Sequence, residues 1–406
     1  MGLLGAGLLF SCGSPERPEE FGDPVGSMGH TGTSTDDTRE PERSRQALPE
    51  RVADPEREPA TAAAEPSSAE PLFSPKKPIL ELAFVGDIVL GEYVYADHRS
   101  FAGPLASADP FEKASESLSA DLLVGNLESP VVEQVPRNCP IRYGHRFAGS
   151  AAAVDTLAEA GFDVMSLANN HANDLVREGL QQSPALLRAR GIVPVGEARA
   201  EGSPFVVETV VREGWRVGFV AATTWLNRWP TPGDPAVPLM RTSGLSDTLV
   251  PLVIEAREDH DLVVVLLHWG RERREKPGPP QLHAAHDLVE AGADLVIGHH
   301  PHVLQGIEHH GEGLIAYSLG NFLFPARYHD YRDTAVLRVR WQAQPHCWAD
   351  AVLEPMRLER APTHAPRPTT SRERRVIVER MQRLSQGLGT RWRERDDRLV
   401  LPGCAR

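Results

Sequence analysis

Three histidines stand within four positions, at 299, 300 and 302, inside the stretch DLVIGHHPHVLQGIE at 294–308. Neutral imidazole is the commonest protein ligand for a transition metal, so this spacing points to cation chemistry. On extended backbone, residues two apart face the same way, which would aim His300 and His302 at one point and turn His299 to the other side. Pro301 restricts His300 to extended conformations and supports that geometry. A solvated histidine loop is the alternative at this point.

The same type of residue recurs along the chain. Asp87, Asn126 with Glu128, Asn170 with His171, His268, and Asn321 each follow a short apolar run. Carboxylates, imidazoles and amides of this kind bind divalent cations, and an imidazole beside them can move protons. A single His or Asn at a strand end is an ordinary turn residue. With His300 and His302 these make six places in chain order, which imply a shared site at the carboxyl ends of strands.

The elements that must position these residues are legible as alternating patterns. Runs at 79–85, 121–128, 163–167, 192–196, 261–267, 294–297 and 313–318 read as strands, several of them apolar throughout, as in a sheet covered on both faces. Helical patterns fall at 109–120, 151–160, 175–190, 249–257 and 280–291, and a hairpin is expected around Glu213-Gly214. Strands are also expected at 334–341 and 348–358, and a Pro/Gly-rich loop at 225–238. This alternation predicts an α/β layered domain over 78–360.

The flanks differ in kind. Residues 3–10 form an apolar run too short to span a bilayer, followed by Leu9-Phe10-Ser11-Cys12, which resembles a bacterial lipobox with Cys12 acylated. No Lys or Arg precedes the run. Residues 1–12 are thus expected to be a lipoprotein signal, making the protein a membrane-anchored component of the cell envelope. Residues 13–77, rich in Pro, Glu, Ser and Ala, read as a disordered tether. Residues 361–406 read as a basic, partly helical extension with a helix at 374–388.

Composition narrows the partners. The 406 residues carry a formal net charge of -13, which argues against a general nucleic-acid binder. The four cysteines, Cys12, Cys139, Cys347 and Cys404, form no C-x-x-C pair, so a zinc ribbon is not expected. Cys139 and Cys347 are a possible disulfide in an oxidising compartment.

Taken in order, Gly86-Asp87 with Val89-Leu90-Gly91, Gly125-Asn126-Leu127-Glu128, Ala168-Asn169-Asn170-His171 with Asp174, His268-Trp269-Gly270 with Glu272, Gly298-His299-His300-Pro301-His302-Val303 and Tyr317-Ser318-Leu319-Gly320-Asn321-Phe322 resemble the bacterial capsule-synthesis CapA family. That family is associated with poly-γ-glutamate capsule biosynthesis and includes PgsA-like membrane components. It is similar in turn to calcineurin-like metallophosphatases, which implies a four-layer α/β/β/α sandwich. The resemblance implies a divalent metal (Mn, Zn, Fe or Mg) held by Asp87, Asn126, Glu128, Asn170, His268, His300 and His302. His171 would be the proton donor to the leaving group, with His299, Asn321 and Asp174 behind the ligands. An anionic capsule polymer, or its synthesis or export machinery, would be the partner.

Two departures modify these expectations. Val89 stands where the first motif has a histidine, and neutral Asn126 stands where a bridging carboxylate is usual. One metal, or a weakly held pair, is therefore expected, with Glu128 able to supply the missing charge. Three roles stay open: an accessory protein of capsule synthesis, a metal-dependent hydrolase of phosphoesters or glutamyl amides, and a degenerate fold. Arg142, Arg146, Arg271, Arg273 and Arg274 are candidates to offset the acidic charge toward a polyanion, or simply solvated loop residues. Trp269 and Phe322 are assigned to packing. His98, His145, His283, His286, His309 and His310 receive no role.

Overall fold

The computed structural model describes residues 76–93, 109–135, 146–325 and 330–404. The leader and tether expected over 1–77, Cys12 included, lie outside that set except for exposed Lys76 and Lys77, and so do His98, Cys139, Arg142 and His145.

The first half of the domain is built from β1 (Ile79–Ile88), β2 (Glu92–Tyr93), α1 (Ser115–Leu118), β3 (Leu122–Leu127), β4 (Val131–Val132), β5 (Phe147–Ser150), α2 (Ala151–Glu159), β6 (Val164–Ser166), α3 (Val176–Arg188) and β7 (Val193–Val195). Strands β1, β3, β6 and β7 are parallel neighbours, joined by helical crossovers. Pleating sends Leu80, Leu82 and Phe84 to one face of β1 and Ala83 and Val85 to the other. Strands β2, β4 and β5 make a small separate sheet.

The second half holds β8 (Glu208–Arg212), β9 (Trp215–Thr223), α4 (Leu245–Asp259), β10 (Leu262–His268), α5 (Pro279–Glu290), β11 (Leu295–His299), β12 (Ile307–His310), β13 (Gly313–Ala316) and β14 (Asn321–Leu323). Arg212 pairs with Trp215 across a two-residue turn in which Glu213 and Gly214 both have positive φ, the turn that suits a twisted hairpin. Helix α4 begins four residues before the pattern at 249, because Leu245 joins Leu249, Val253 and Ala256 on its buried stripe. The second sheet runs β12-β13-β11-β10-β9-β8.

The chain then adds β15 (Asp333–Gln342), β16 (Cys347–Leu358), β17 (Pro366–Pro368), α6 (Ser371–Gln386), β18 (Arg393–Arg395) and β19 (Arg398–Pro402). These complete the first sheet, in the order β18-β19-β16-β15-β1-β3-β6-β7 with β14 on β1 and β17 on β16. Residues read as a basic, partly helical extension pack into the core: Ile377, Val378 and Met381 of α6, Trp392 and Leu399 are all buried. The helix starts at Ser371 rather than 374 because Thr370 and Glu373 cap it reciprocally, Thr370 N–H donating to Glu373 Oε2 at 2.9 Å. Cys347 is bonded to Cys404, with Cα atoms 6.2 Å apart, rather than to Cys139. The reason is adjacency: Cys404 N–H donates to the Trp348 carbonyl at 3.0 Å beside the β16–β19 ladder.

Three apolar layers define the stacking. Leu80, Leu82 and Phe84 of the first sheet meet Val217, Phe219, Val264 and Leu266 of the second in one cluster. The outer face of the first sheet packs Ala83, Val85 and Met165 against Val154 and Leu157 of α2 and Leu187 of α3. That of the second packs Val220, Val263 and Val265 against Leu249 and Val253 of α4 and Leu288 of α5. The result is an α/β/β/α sandwich. Each large side chain buried this way contributes roughly 1.5–3 kcal/mol. Among the described residues, no helix is long and apolar enough to cross a membrane.

Candidate metal centre

Register brings the polar strand ends together. Asp87 of β1 lies opposite Asn126 of β3 and Asn321 of β14, and His268 of β10 lies opposite His299 of β11. The two sheets therefore present their carboxyl ends to one space. A Cβ at Gly86 would stand 2.0 Å from the Gly320 carbonyl oxygen, and one at Gly298 would stand 2.0 Å from that of Tyr317. Only glycine permits strands this close to the backbone at 317–320.

His300 and His302 converge on that space by a different route from the one the sequence suggests. β11 ends at His299, and His300 and His302 take φ values of 94° and 57°. The segment is a turn wrapped around Asp87, whose Oδ2 accepts from the His300 backbone N–H at 3.3 Å. Histidine is among the few side chains that enter the positive-φ region with any frequency, and such conformations gather at functional sites. His299 points elsewhere, its Nε2 donating to the Val85 carbonyl at 3.1 Å.

Three nitrogen and oxygen atoms crowd one part of the site. His268 Nε2 is 2.8 Å from Asn170 Oδ1 and 3.1 Å from His300 Nδ1. Glu128 Oε1 lies 3.7 Å from His268 Nε2, 3.7 Å from His302 Nε2 and 4.0 Å from His171 Nε2. His302 Nδ1 donates to Asp87 Oδ2 at 3.1 Å and Asn321 Oδ1 at 2.9 Å. That bifurcated bond fixes the tautomer and leaves Nε2 facing Glu128.

Glu128 is the anomaly of the site. It is buried, and neither of its carboxylate oxygens has a hydrogen-bond partner. Burial and then the charge of Asp87 push its pKa well above the usual carboxylate range. Asp87 behaves oppositely: burial opposes ionisation, but the hydrogen bond and charge of His302 hold its pKa below the ordinary value. Burial and then the charge of His300 drop the His268 imidazole well below its usual range, and burial with His302 takes His300 down to about 3. His302 moves up because Asp87 outweighs the burial penalty. Two imidazoles held neutral beside an unsatisfied carboxylate form a donor set that fits a divalent cation. Neighbouring ligands of an ion held at about 2.0–2.2 Å stand roughly 3.0–3.5 Å apart, close to the separations here. Among the described residues, Glu128 with His268 and His300, and Asp87 with Glu128 and His302, are groupings of this site that could hold one.

The remaining sequence-predicted residues have distinct places. Asn126 donates from Nδ2 to Asp87 Oδ1 at 2.9 Å and reaches His268 Nδ1 at 3.3 Å, while its Oδ1 accepts from Asn169 at 3.3 Å. Its amide is committed on both sides, whereas the Glu128 carboxylate is left without a hydrogen bond. Val89 packs with Phe147, Phe324 and Leu358. His171 Nδ1 is 2.6 Å from Asp174 Oδ2, and its ring lies 4.3 Å from that of Phe147. Trp269 is buried with its ring stacked on Tyr317 and donates to the Tyr317 carbonyl, and Phe322 is buried with its ring stacked on Phe111.

Some contributors were given no role from the sequence. Asn169 ties the β3 end to the 169–171 turn by donating to the Leu127 carbonyl at 2.8 Å. From the 225–238 loop, Asn227 Nδ2 meets His171 Nε2 at 3.2 Å, and the Trp225 ring stacks over His300 at 5.9 Å. The only hint was the polar and aromatic content of Trp225-Leu226-Asn227-Arg228-Trp229. A separate group joins His286, Glu308 and His310 between α5 and β12. There Glu308 is already satisfied, by the Tyr317 hydroxyl at 2.7 Å and His286 at 3.1 Å.

The family model described as "Bacterial capsule synthesis protein PGA_cap" matches residues 81–326. The chain is 30% identical over 333 residues to "Capsule biosynthesis protein CapA" of Bacillus anthracis, covering 79% of this chain and 77% of that one. It is 28% identical to "PGA biosynthesis protein CapA" of Bacillus subtilis, over 79% and 82% of the two chains. A solved structure titled a novel phosphatase, from Mycoplasma pneumoniae, is similar at a TM-score of 0.43 and 13% identity, covering 70% of this chain and 96% of that one.

Proposed function

The chain belongs to the bacterial capsule synthesis family PGA_cap, and from that premise we propose that it takes part in the biosynthesis or export of an anionic capsule polymer of the poly-γ-glutamate kind, through a divalent-cation centre. The observation that carries the centre is Glu128, a buried carboxylate without a hydrogen bond, 3.7 Å from the Nε2 atoms of His268 and His302. The capsule role is supported by the two Bacillus relatives, named for capsule and PGA biosynthesis.

Glu128, His268, His300, His302 and Asn170 would hold the cation, with Asp87 and Asn321 orienting His302. Its identity among Mn, Zn, Fe and Mg is left to measurement, although an imidazole-rich set favours the transition metals over Mg. When bound, such an ion polarises a carbonyl or phosphoryl oxygen and acidifies water. The chain's own residues do the rest. Asp174 keeps a proton on His171 Nδ1, which leaves Nε2 to take or give a proton at the pocket edge. Asn227 holds that edge in place.

The His171–Asp174 pair favours a second reading, in which the protein is a metal-dependent hydrolase of glutamyl amide or phosphoester bonds. At the envelope, Cys12 would be acylated and 13–77 would tether the domain to the membrane. Metal analysis of the purified protein, with and without Glu128→Gln, tests the centre. Polymer yield from a deletion strain complemented with either form tests the role: normal yield without the gene would sink the capsule assignment. Normal yield from a metal-free variant would sink the centre's part in it. Hydrolysis of γ-glutamyl amides by metal-loaded protein decides the second reading. Release of the Cys12→Ala protein from membranes tests the anchor.

A further inference from the structure

Among the described residues, a further grouping of imidazoles and carboxylates lies where α5 faces β12, and it shares no residue with the candidate centre. His286 and Glu290 are four apart on α5 and so occupy one face of the helix. Glu308 and His310 are two apart on β12 and so occupy one face of the strand. The two faces meet. His286 Nε2 stands 3.1 Å from both Glu308 carboxylate oxygens, and His310 Nε2 stands 3.2 Å from Glu290 Oε1. The two imidazole rings stack at 3.8 Å, and one ligand atom from each of His286, Glu308 and His310 falls within 4.8 Å of the others.

The chemistry of this set suits a divalent cation. Ligating imidazoles are neutral, so the four residues would present two negative charges to one ion of matching charge. Glu308 is buried, and the Tyr317 hydroxyl donates to its Oε2 at 2.7 Å. A ligating carboxylate is ordinarily held by such an outer hydrogen bond, which fixes its direction. Ligands of an ion held at about 2.0–2.2 Å stand roughly 3.0–3.5 Å apart. The His286–Glu308 separation already matches that spacing, and His310 has only to turn inward. The side chains of His286 and His310 are 31% and 27% exposed, which leaves both rings room to tilt out of parallel and aim a nitrogen at the same ion. Two imidazoles with a carboxylate favour zinc and its neighbours over magnesium or calcium.

We propose that His286, Glu308 and His310 bind a divalent transition-metal ion, with Glu290 or water completing its coordination. The segment between α5 and β12, residues 291–306, contains β11 and the turn that carries His300 and His302. An ion joining α5 to β12 would close that segment at its two ends and restrain the turn from outside the candidate centre. It needs neither the capsule reading nor a cation at Glu128.

The test strips the full-length protein with chelator and titrates it with Zn²⁺ at micromolar concentration. It compares wild type, Glu128→Gln, the His286→Asn/His310→Asn double variant and the triple variant. Each protein that keeps the two histidines is expected to bind one further equivalent than its counterpart without them. Outer partners of a metal ligand alone are worth about 10- to 100-fold in affinity, and removing two ligands should cost at least that. Zn²⁺ should also slow hydrogen exchange across 291–306 in Glu128→Gln but not in the triple variant. Equal zinc uptake with and without the histidines overturns the site. Loss of the equivalent with exchange unaffected supports the site and overturns the restraint on the turn. Should the double variant melt lower than wild type in chelator, anomalous scattering at the zinc edge from wild-type crystals decides. A peak between His286 and Glu308 supports the site, and none there overturns it.

Discussion

His268 Nε2 stands 3.7 Å from Glu128 Oε1, an imidazole from one sheet facing a carboxylate at the end of a strand of the other. The imidazole is held neutral and the carboxylate lacks any donor. Each is costly alone and each becomes a ligand when a cation is present, so the measurable behaviour of the protein should turn on this pair.

Glu128→Gln keeps the shape and removes the charge. Without cation, the variant should be more stable than wild type by about 1–3 kcal/mol, the order of an unsatisfied buried polar group. Its cation affinity should fall by at least about tenfold to a hundredfold. Denaturant melts in chelator, paired with metal titrations, check both. A variant that is less stable and binds metal normally would contradict the assignment.

The pH dependence of the cation-free protein has a defined shape. His268, His299 and His300 have folded pKa values below the ordinary 6.5, so below pH 6.5 the unfolded chain binds more protons and stability falls as pH drops. Glu128 and His302 are raised, so the folded chain holds more protons above their unfolded values. Their contribution is present at low pH and is lost as pH rises. Stability should therefore peak near pH 6.5 and fall on both sides, by about 1.4 kcal/mol per pH unit for each uncompensated group. Melts across pH 4.5–8.5 measure it. Metal binding should release protons, and the alkaline fall should flatten in its presence.

His171→Ala separates chemistry from binding. If the protein is a hydrolase, turnover should drop about 10²–10⁴-fold while bound metal stays constant. Asp174→Asn should also lower turnover, because the amide cannot hold His171 in one tautomer by charge. Single-turnover assays on γ-glutamyl amides decide the matter, and an unchanged rate in either variant would remove His171 from the mechanism.

The carboxyl-terminal segment is expected to be indispensable to folding. Met381 of α6 is fully buried in the core cluster between the sheets, so Met381→Ala should cost about 2–5 kcal/mol. A chain ending at 360 would expose Leu353 and the β16 edge, and should be recovered unfolded or aggregated. A soluble, cooperatively melting truncation would show otherwise.

Much of the layered fold was legible because its strands are continuous apolar runs between helical patterns, as at Leu262-Val263-Val264-Val265-Leu266-Leu267. The gathering of Asp87, Asn126 and His268 at strand ends followed from the same logic, since parallel neighbours end on one side, whereas Asn321 opens β14. What escaped was set by tertiary contacts. His300 and His302 meet through a turn fastened by Asp87, which lies more than 200 positions away, so local rules for extended backbone could not anticipate it. Strand β5 is four residues long and joins only short partners, leaving little periodicity to read. The loop bearing Trp225, Asn227 and Arg228 has no pattern at all until His171 and His300 are in place beside it.

The candidate centre lies across a seam, with Asp87 and Asn321 in one sheet and His268 and the turn that follows β11 in the other. A slip of one sheet past its partner by a single residue would displace these groups by about 3.3 Å relative to one another, beyond any shared grip. An ion lodged there would act as a clasp on the sandwich. The shared apolar core would still hold the sheets together without it, so loss of the ion would loosen this rim of the sandwich first.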